Sequence, residues 1–209
     1  MKVEDLLIAN RGGLRFGKLG GRWVHICVDM QVMFLRDTPW QAKWIPRVMP
    51  MVVRLVEAAP ERTVFTRFLP PRTLADAGGT WRRYYERWPM MTRDRLGEQP
   101  LALVPELARL AASGRVHDKA VYSPWYDGRL HAELQGLGVD TVIVTGTETE
   151  VCVLATVLGA VDHGYRVIVA TDAVCSSADS THDAMQEIYH SRYGMQVETA
   201  GVAELLEAM

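Results

Sequence analysis

The sequence predicts an α/β fold, a three-layer α/β/α sandwich with a six-stranded, mainly parallel sheet. Three observations carry that expectation. Strand-like and helical patterns alternate about six times along the chain. The strands are short apolar runs, as expected where helices cover both faces of a parallel sheet. The 209 residues are enough for one α/β domain with a substantial core, and no internal repeat, low-complexity tract or second domain interrupts them.

The elements follow in order. Residues 1–22 read as an irregular lead-in, with Gly12-Gly13 and Gly20-Gly21 as breakers. Trp23 to Val28 is the first strand and ends at Asp29. Pro46 to Ala59 carries Val48, Val52, Leu55 and Val56 at helical spacing and stops at Pro60. Thr63 to Phe68 is the second strand. Residues 69–98 hold Pro70-Pro71, Gly78-Gly79 and several aromatics; they read as a long connection with a short helix, long enough to wall a site. Leu101 to Ala112 is a helix, Arg115 to Asp118 a short strand ending at Lys119, and Asp127 to Leu137 a helix closed by Gly138. Thr141 to Thr145 is a strand, Val151 to His163 a helix, and Arg166 to Ala170 a strand. Ser180 to Tyr193 is a helix opening on a capping-box spacing, Ser180-Thr181-His182-Asp183. Gln196 to Thr199 and Val202 to Met209 are the last strand and helix.

Composition removes several function classes. A net charge of −2 gives no reason to expect nucleic acid as a partner. The Trp81–Trp88 stretch mixes arginine with aromatics but contains Glu86 and extends into no longer basic run. No apolar run approaches the ~20 residues that span a bilayer, and the N-terminus lacks the basic-then-apolar order of a signal peptide. The expectation is a cytoplasmic protein with no membrane partner. Three widely spaced cysteines do not form a disulfide framework. The glycines of residues 12–21 follow no strand and open no helix, so they fail as a dinucleotide fingerprint, and no cofactor is expected.

Ligands of open parallel sheets bind beyond the carboxyl ends of the strands. There the sequence places Asp29, then Arg67 and Phe68, then Lys119, then the corner Thr145-Gly146-Thr147-Glu148-Thr149-Glu150-Val151-Cys152, and Asp172 after the fifth strand. Each has an ordinary reading: a capping acid, a solvated lysine, a small core thiol. Together they make chemical sense. A helix start and a neighbouring ammonium favour a thiolate. A carboxylate can take the thiol proton and return it to a leaving amine. The N–H of Cys152, with one from the preceding corner, could hold an oxyanion. Cys27 reads as buried within the first strand, and Cys175, after the fifth strand, could lie near the same edge.

Three separated motifs resemble the isochorismatase-like cysteine hydrolase superfamily, which includes nicotinamidases, N-carbamoylsarcosine amidases, ureidoacrylate hydrolases and isochorismatases. They are Val28-Asp29-Met30-Gln31-Val32-Met33-Phe34, Asp118-Lys119-Ala120-Val121-Tyr122-Ser123-Pro124-Trp125, and the whole of residues 145–173. Together with their flanks they span residues 24 to about 200. The resemblance implies an Asp29–Lys119–Cys152 triad and a cis peptide between Thr147 and Glu148, which turns the N–H of Glu148 toward the oxyanion beside that of Cys152. It also implies a homo-oligomer, a dimer or tetramer. Two departures narrow the activity. The metal-binding Asp and His residues of nicotinamidases have no counterpart in Thr66–Pro71, which argues against a metal and against nicotinamide. The cysteine that ether-hydrolysing members can lack is present, which favours carbonyl chemistry.

Gln31, Phe34, Arg67, Phe68 and Trp125 are the candidate substrate contacts, with Arg67 able to hold a carboxylate or carbonyl through paired hydrogen bonds. The leading reading is hydrolysis of a small amide, carbamoyl or ureido C–N bond. Two others stay open: an isochorismate-type vinyl-ether hydrolase with Asp29 as acid, and a non-catalytic binding or scaffold protein.

Overall fold

The computed structural model describes residues 12–209. Residues 1–11 of the expected lead-in lie outside the described residues. Residues 12–22 are irregular, apart from an antiparallel bridge between Gly13 and Thr199.

Six strands form one sheet: β1 (Trp23–Val28), β2 (Thr63–Phe68), β3 (Arg115–Lys119), β4 (Thr141–Thr147), β5 (Arg166–Cys175) and β6 (Val197–Ala200). Their spatial order is β3-β2-β1-β4-β5-β6, and every pairing is parallel. The chain runs outward from β1 to β3 and restarts beside β1 with β4, so the topological switch point lies between β1 and β4. That is where an open α/β sheet leaves a crevice.

The α-helices are α1 (Val32–Leu35), α2 (Ile45–Ala58), α3 (Gly79–Arg87), α4 (Arg93–Leu96), α5 (Pro105–Ala108), α6 (Arg129–Gly136), α7 (Leu154–Asp162), α8 (Asp179–Ser191) and α9 (Val202–Ala208). Successive strand residues point to opposite faces. Cys27, Ile143, Ile168 and Ala170 therefore join α2, α9 and the long connection on one face. Ile26, Val142, Val144, Val167 and Val169 join α6, α7 and α8 on the other. β1 and β4 are buried along their whole lengths, as central strands covered on both sides must be. No helix of the described residues is long and apolar enough to cross a membrane.

Four details differ from the sequence expectation. The helix expected over 101–112 shrinks to α5, because residues 102–104 run extended against the loop after β1. Val32 N–H donates to Ala102 O at 3.0 Å and Val104 N–H to Met30 O at 3.0 Å. The capping box at Ser180–Asp183 does not form: α8 starts at Asp179 without a side-chain cap, and the Thr181 hydroxyl donates to Glu150 instead. β5 continues to Cys175, since Gly146 pairs with Val174 and Thr147 with Cys175 beyond a register shift. Asp172 consequently sits within the strand, where its Oδ1 accepts the N–H of Val202 at 2.9 Å, and it does not join the others at the sheet edge. Finally, Cys152 lies in a π-helical turn, Thr149–Val153, ahead of α7.

Candidate active site

Asp29 is fully buried immediately after β1. Its φ of +50° is the one positive value among the described non-glycine residues, a conformation aspartate tolerates better than most side chains do. Thr66, on the neighbouring strand β2, holds it there. The Asp29 N–H faces the Thr66 carbonyl and hydroxyl, each at 3.2 Å. The Thr66 hydroxyl donates to Asp29 Oδ1 at 2.6 Å, while Lys119 Nζ, from the last residue of β3, donates to Oδ2 at 2.7 Å. Lys119 also donates to Val121 O at 3.2 Å and stands 5.2 Å from the centroid of the Phe68 ring. The two charged side chains are 3% and 0% exposed. Burial of two ions costs several kcal/mol each unless their remaining polar positions are met. Thr66 and the Val121 carbonyl help to meet them.

The corner after β4 brings the thiol to this pair. Gly146 has φ +110° and lies so close to β1 that a Cβ would fall 2.1 Å from Val28 O, so only glycine fits. The Thr147–Glu148 peptide is cis. The Glu148 carbonyl accepts the N–H groups of both Val151 and Val153, at 3.0 and 3.1 Å. In α7, the Thr156 hydroxyl donates to Cys152 O at 2.7 Å.

Charges then set protonation. Burial alone would lower the Lys119 ammonium, but the charge of Asp29 carries it above its ordinary value. Burial pushes the Cys152 thiol well above its ordinary range; Lys119 pulls it back and Asp29 pushes it further up. The helix start and the neighbouring lysine were expected to favour a thiolate, but burial is the larger influence on the sulfur. Desolvation of a 6%-exposed sulfur outweighs the single ammonium, whose charge is largely answered by Asp29. Burial thus outweighs the pull of Lys119 on the Cys152 thiol, which stands beside the Asp29–Lys119 pair.

The candidate substrate contacts separate. Gln31 is a strut: its Nε2 donates to Phe68 O (3.1 Å) and Leu101 O (2.8 Å), and its Oε1 accepts Phe68 N–H (2.7 Å). Phe34 is buried and stacks on Trp40, centroids 6.3 Å apart. Phe68 alone of the five touches the cluster, through Lys119. Arg67 turns to the other face of β2, where Asp118 takes its fork at 2.7 and 2.8 Å. Trp125 packs into the core beside α7, with its Nε1 donating to Thr156 O at 2.8 Å. Gly159 leaves room for it, since a Cβ there would lie 2.1 Å from the indole. The polar atoms of Gln31, Arg67 and Trp125 are thus engaged by the backbone and the carboxylate next to them. Cys27 and Cys175 are both buried.

Thr66 was not singled out from sequence. The available signal was a hydroxyl in the strand that pairs with β1, near the level of Asp29. The long connection does wall a space: a cavity of about 750 Å³ opens beside Lys119, bounded by Pro71, Trp81 and Val121. Among the described residues, no group of three or more His, Cys, Asp or Glu side chains is placed to hold a metal.

Known proteins resemble the chain at three levels. The model of the Isochorismatase domain matches residues 24–200. Maleamate amidohydrolase of Pseudomonas putida is 34% identical over 128 residues, covering 61% of this chain and 57% of that protein. Across the curated relatives, the matched segments span between a third and a little over half of the relatives' own lengths. In structure, a cysteine hydrolase from Pseudomonas syringae pv. phaseolicola superposes with a TM-score of 0.76 at 23% identity, covering 90% of this chain and 92% of that one. N-carbamoylsarcosine amidase from Thermoplasma acidophilum gives 0.70 at 21% identity, over 87% and 96%. These two share the fold. With a family model that covers most of its length and the sheet that goes with it, the chain belongs to the isochorismatase family.

Proposed function

We propose that the protein is a cysteine hydrolase that cleaves the C–N bond of a small amide, carbamoyl or ureido compound through a thioester. The observation that carries this reading is the buried Asp29–Lys119 ion pair, 2.7 Å long, with the Cys152 thiol beside it at the switch point. The names of a relative, maleamate amidohydrolase, and of a structural neighbour, N-carbamoylsarcosine amidase, support amide chemistry.

A neutral thiol cannot attack efficiently, so the Asp29 carboxylate takes the Sγ proton as sulfur bonds to the carbonyl carbon. Negative charge moves from Asp29 to the carbonyl oxygen, where the N–H groups of Glu148 and Cys152 receive it. Lys119 remains charged throughout and stabilises each anion in turn. Asp29 then gives its proton to the nitrogen, the C–N bond breaks, and ammonia or an amine leaves. Water loses a proton to Asp29 and adds to the thioester, the C–S bond breaks, and the proton returns to sulfur. Thr66 keeps the carboxylate aimed through each of the four proton transfers.

Cys152→Ala tests the assignment. Ammonia release from a panel of amides and ureido acids falls by at least about a thousand-fold, while the circular dichroism spectrum is unchanged. Undiminished release in that variant overturns the proposal, and turnover of isochorismate by it favours ether hydrolysis with Asp29 as acid.

A further inference from the structure

The corner that carries the thiol is held from outside by the segment that follows it across the sheet. β5 runs alongside the corner, and Thr147 Oγ1 donates to Cys175 O at 3.2 Å. Ser177 N–H donates to Glu148 Oε1 at 3.3 Å. Thr149 Oγ1 and His182 Nδ1 lie 2.8 Å apart, and the Tyr189 hydroxyl donates to Thr149 O at 3.3 Å. Glu150 Oε1 accepts the Ser176 hydroxyl at 2.7 Å and the Thr181 hydroxyl as well. Every residue from Thr147 to Glu150 is therefore tied to the stretch between Cys175 and Tyr189.

Ordinary roles do not account for these side chains. Glu150 is not a surface acid in a salt bridge: its Oε1 serves two hydroxyls, and its Oε2 is buried without a partner among the described residues. α8 opens without a side-chain cap, a device that ordinarily stabilises a helix start. The hydroxyl of Thr181 in its first turn goes to Glu150 instead, with a longer contact to Ala178 O at 3.2 Å. A local rule set aside in this way is expected beside a functional element. The element held here is the π-helical turn Thr149–Val153, a rare form that recurs at functional sites. Behind it a cavity of about 300 Å³ is bounded by Val48, Cys175, Ser176 and His182, so packing does not stand in for a lost hydrogen bond.

We propose that Glu150 and His182 are positioning residues for the hydrolytic reaction. Through Ser176, Thr181 and Thr149 they fix the nucleophile corner against the start of α8, and so set where the N–H groups of Glu148 and Cys152 meet the developing oxyanion. The inference rests on the C–N hydrolase reading. Oxyanion donors act at about 2.7–3.1 Å from the developing charge, and a displacement of about 1 Å in a supporting element can cost about 100-fold in rate. The effect falls on kcat, because such donors hold the transition state more strongly than the bound substrate.

The test is ammonia release from those amides and ureido acids of the panel that the wild-type protein turns over. Glu150→Ala should lower kcat by about 10- to 100-fold and change KM by less than about twofold. Glu150→Gln keeps an acceptor for both hydroxyls and should hold kcat within about threefold. His182→Phe and Thr149→Val remove the same hydrogen bond, so each should lower kcat by about 3- to 10-fold and the double variant no further. An unchanged kcat in Glu150→Ala, an equal loss in Glu150→Gln, or an effect confined to KM overturns the proposal. Should Glu150→Ala fail to fold, the double variant Ser176→Ala, Thr181→Val removes the same bonds from the other side, and an unchanged kcat there is decisive against it. Amide turnover that survives in Cys152→Ala removes the hydrolase reading itself. Hydrogen exchange over residues 146–154 then decides the positioning role separately. Exchange should quicken at least about fivefold in Glu150→Ala and not in Glu150→Gln, and equal exchange in wild type and both variants overturns the proposal.

Discussion

Asp118 and Lys119 are consecutive residues of β3, and each forms an ion pair, yet the two pairs have little in common. Side chains alternate across a strand, so Asp118 meets Arg67, its register partner on β2, on one face, and Lys119 meets Asp29 on the other. The Arg67–Asp118 pair is bidentate and about one-third exposed, at 32% and 38%. The Lys119–Asp29 pair has a similar length and almost no exposure. Good geometry is therefore not what separates the two pairs. Water screens the first pair, which makes it nearly dispensable. The second is costly to bury and costlier to break, and only it lies beside the Cys152 thiol.

The contrast breaks hardest at Lys119. Lys119→Met keeps the stem and removes the charge, so Asp29 is left buried without its counter-ion. Stability should drop by roughly 3–5 kcal/mol in urea titrations, and turnover by at least about a hundredfold. A variant as stable as its parent would show that the pair is not an uncompensated burial.

Another buried titratable group sharpens the comparison because it has no charged partner among the described residues. His25 lies inside β1 with Nε2 at 2.7 Å from the Thr145 hydroxyl and Nδ1 at 3.3 Å from that of Thr63. Burial lowers its pKa from 6.5 to about 3. The folded form therefore keeps a neutral imidazole while the unfolded chain takes up a proton below pH 6.5. The associated stability is complete above that pH and is lost as pH falls toward about 3, at up to about 1.4 kcal/mol per unit. Urea midpoints of wild type and His25→Gln, compared from pH 7 down to 4.5, should converge as pH falls. A constant difference would mean that the histidine does not titrate as described.

The smallest effect belongs to the exposed pair. Arg67→Ala should cost no more than about 1 kcal/mol and change kcat/KM less than threefold, roughly. A loss approaching that of Lys119→Met would show that the two faces of β3 are coupled.

The sequence made the sheet legible because each strand is an apolar run and each helix a periodic one. Asp29, Lys119 and Cys152 were legible because the fold puts strand ends at one edge. Thr66 and the use of Arg67 were not, for a common reason. Which residue faces which across a parallel sheet depends on register, and register is set by non-local pairing. Thr66 reaches Asp29 only because β1 and β2 are neighbours in register. The burial of Cys152 was not legible either, because a helix start can be read from sequence, whereas desolvation of a sulfur depends on everything packed over it.

The seating of Trp125 ties the two halves of the site together. Its indole N–H fixes the carbonyl of Thr156, and the hydroxyl of that same threonine fixes the carbonyl of Cys152. Trp125 itself ends the short segment that starts at Lys119. Ammonium and sulfur, distant in the chain, are thus surveyed from one shared benchmark, and Gly159 is the notch that holds it.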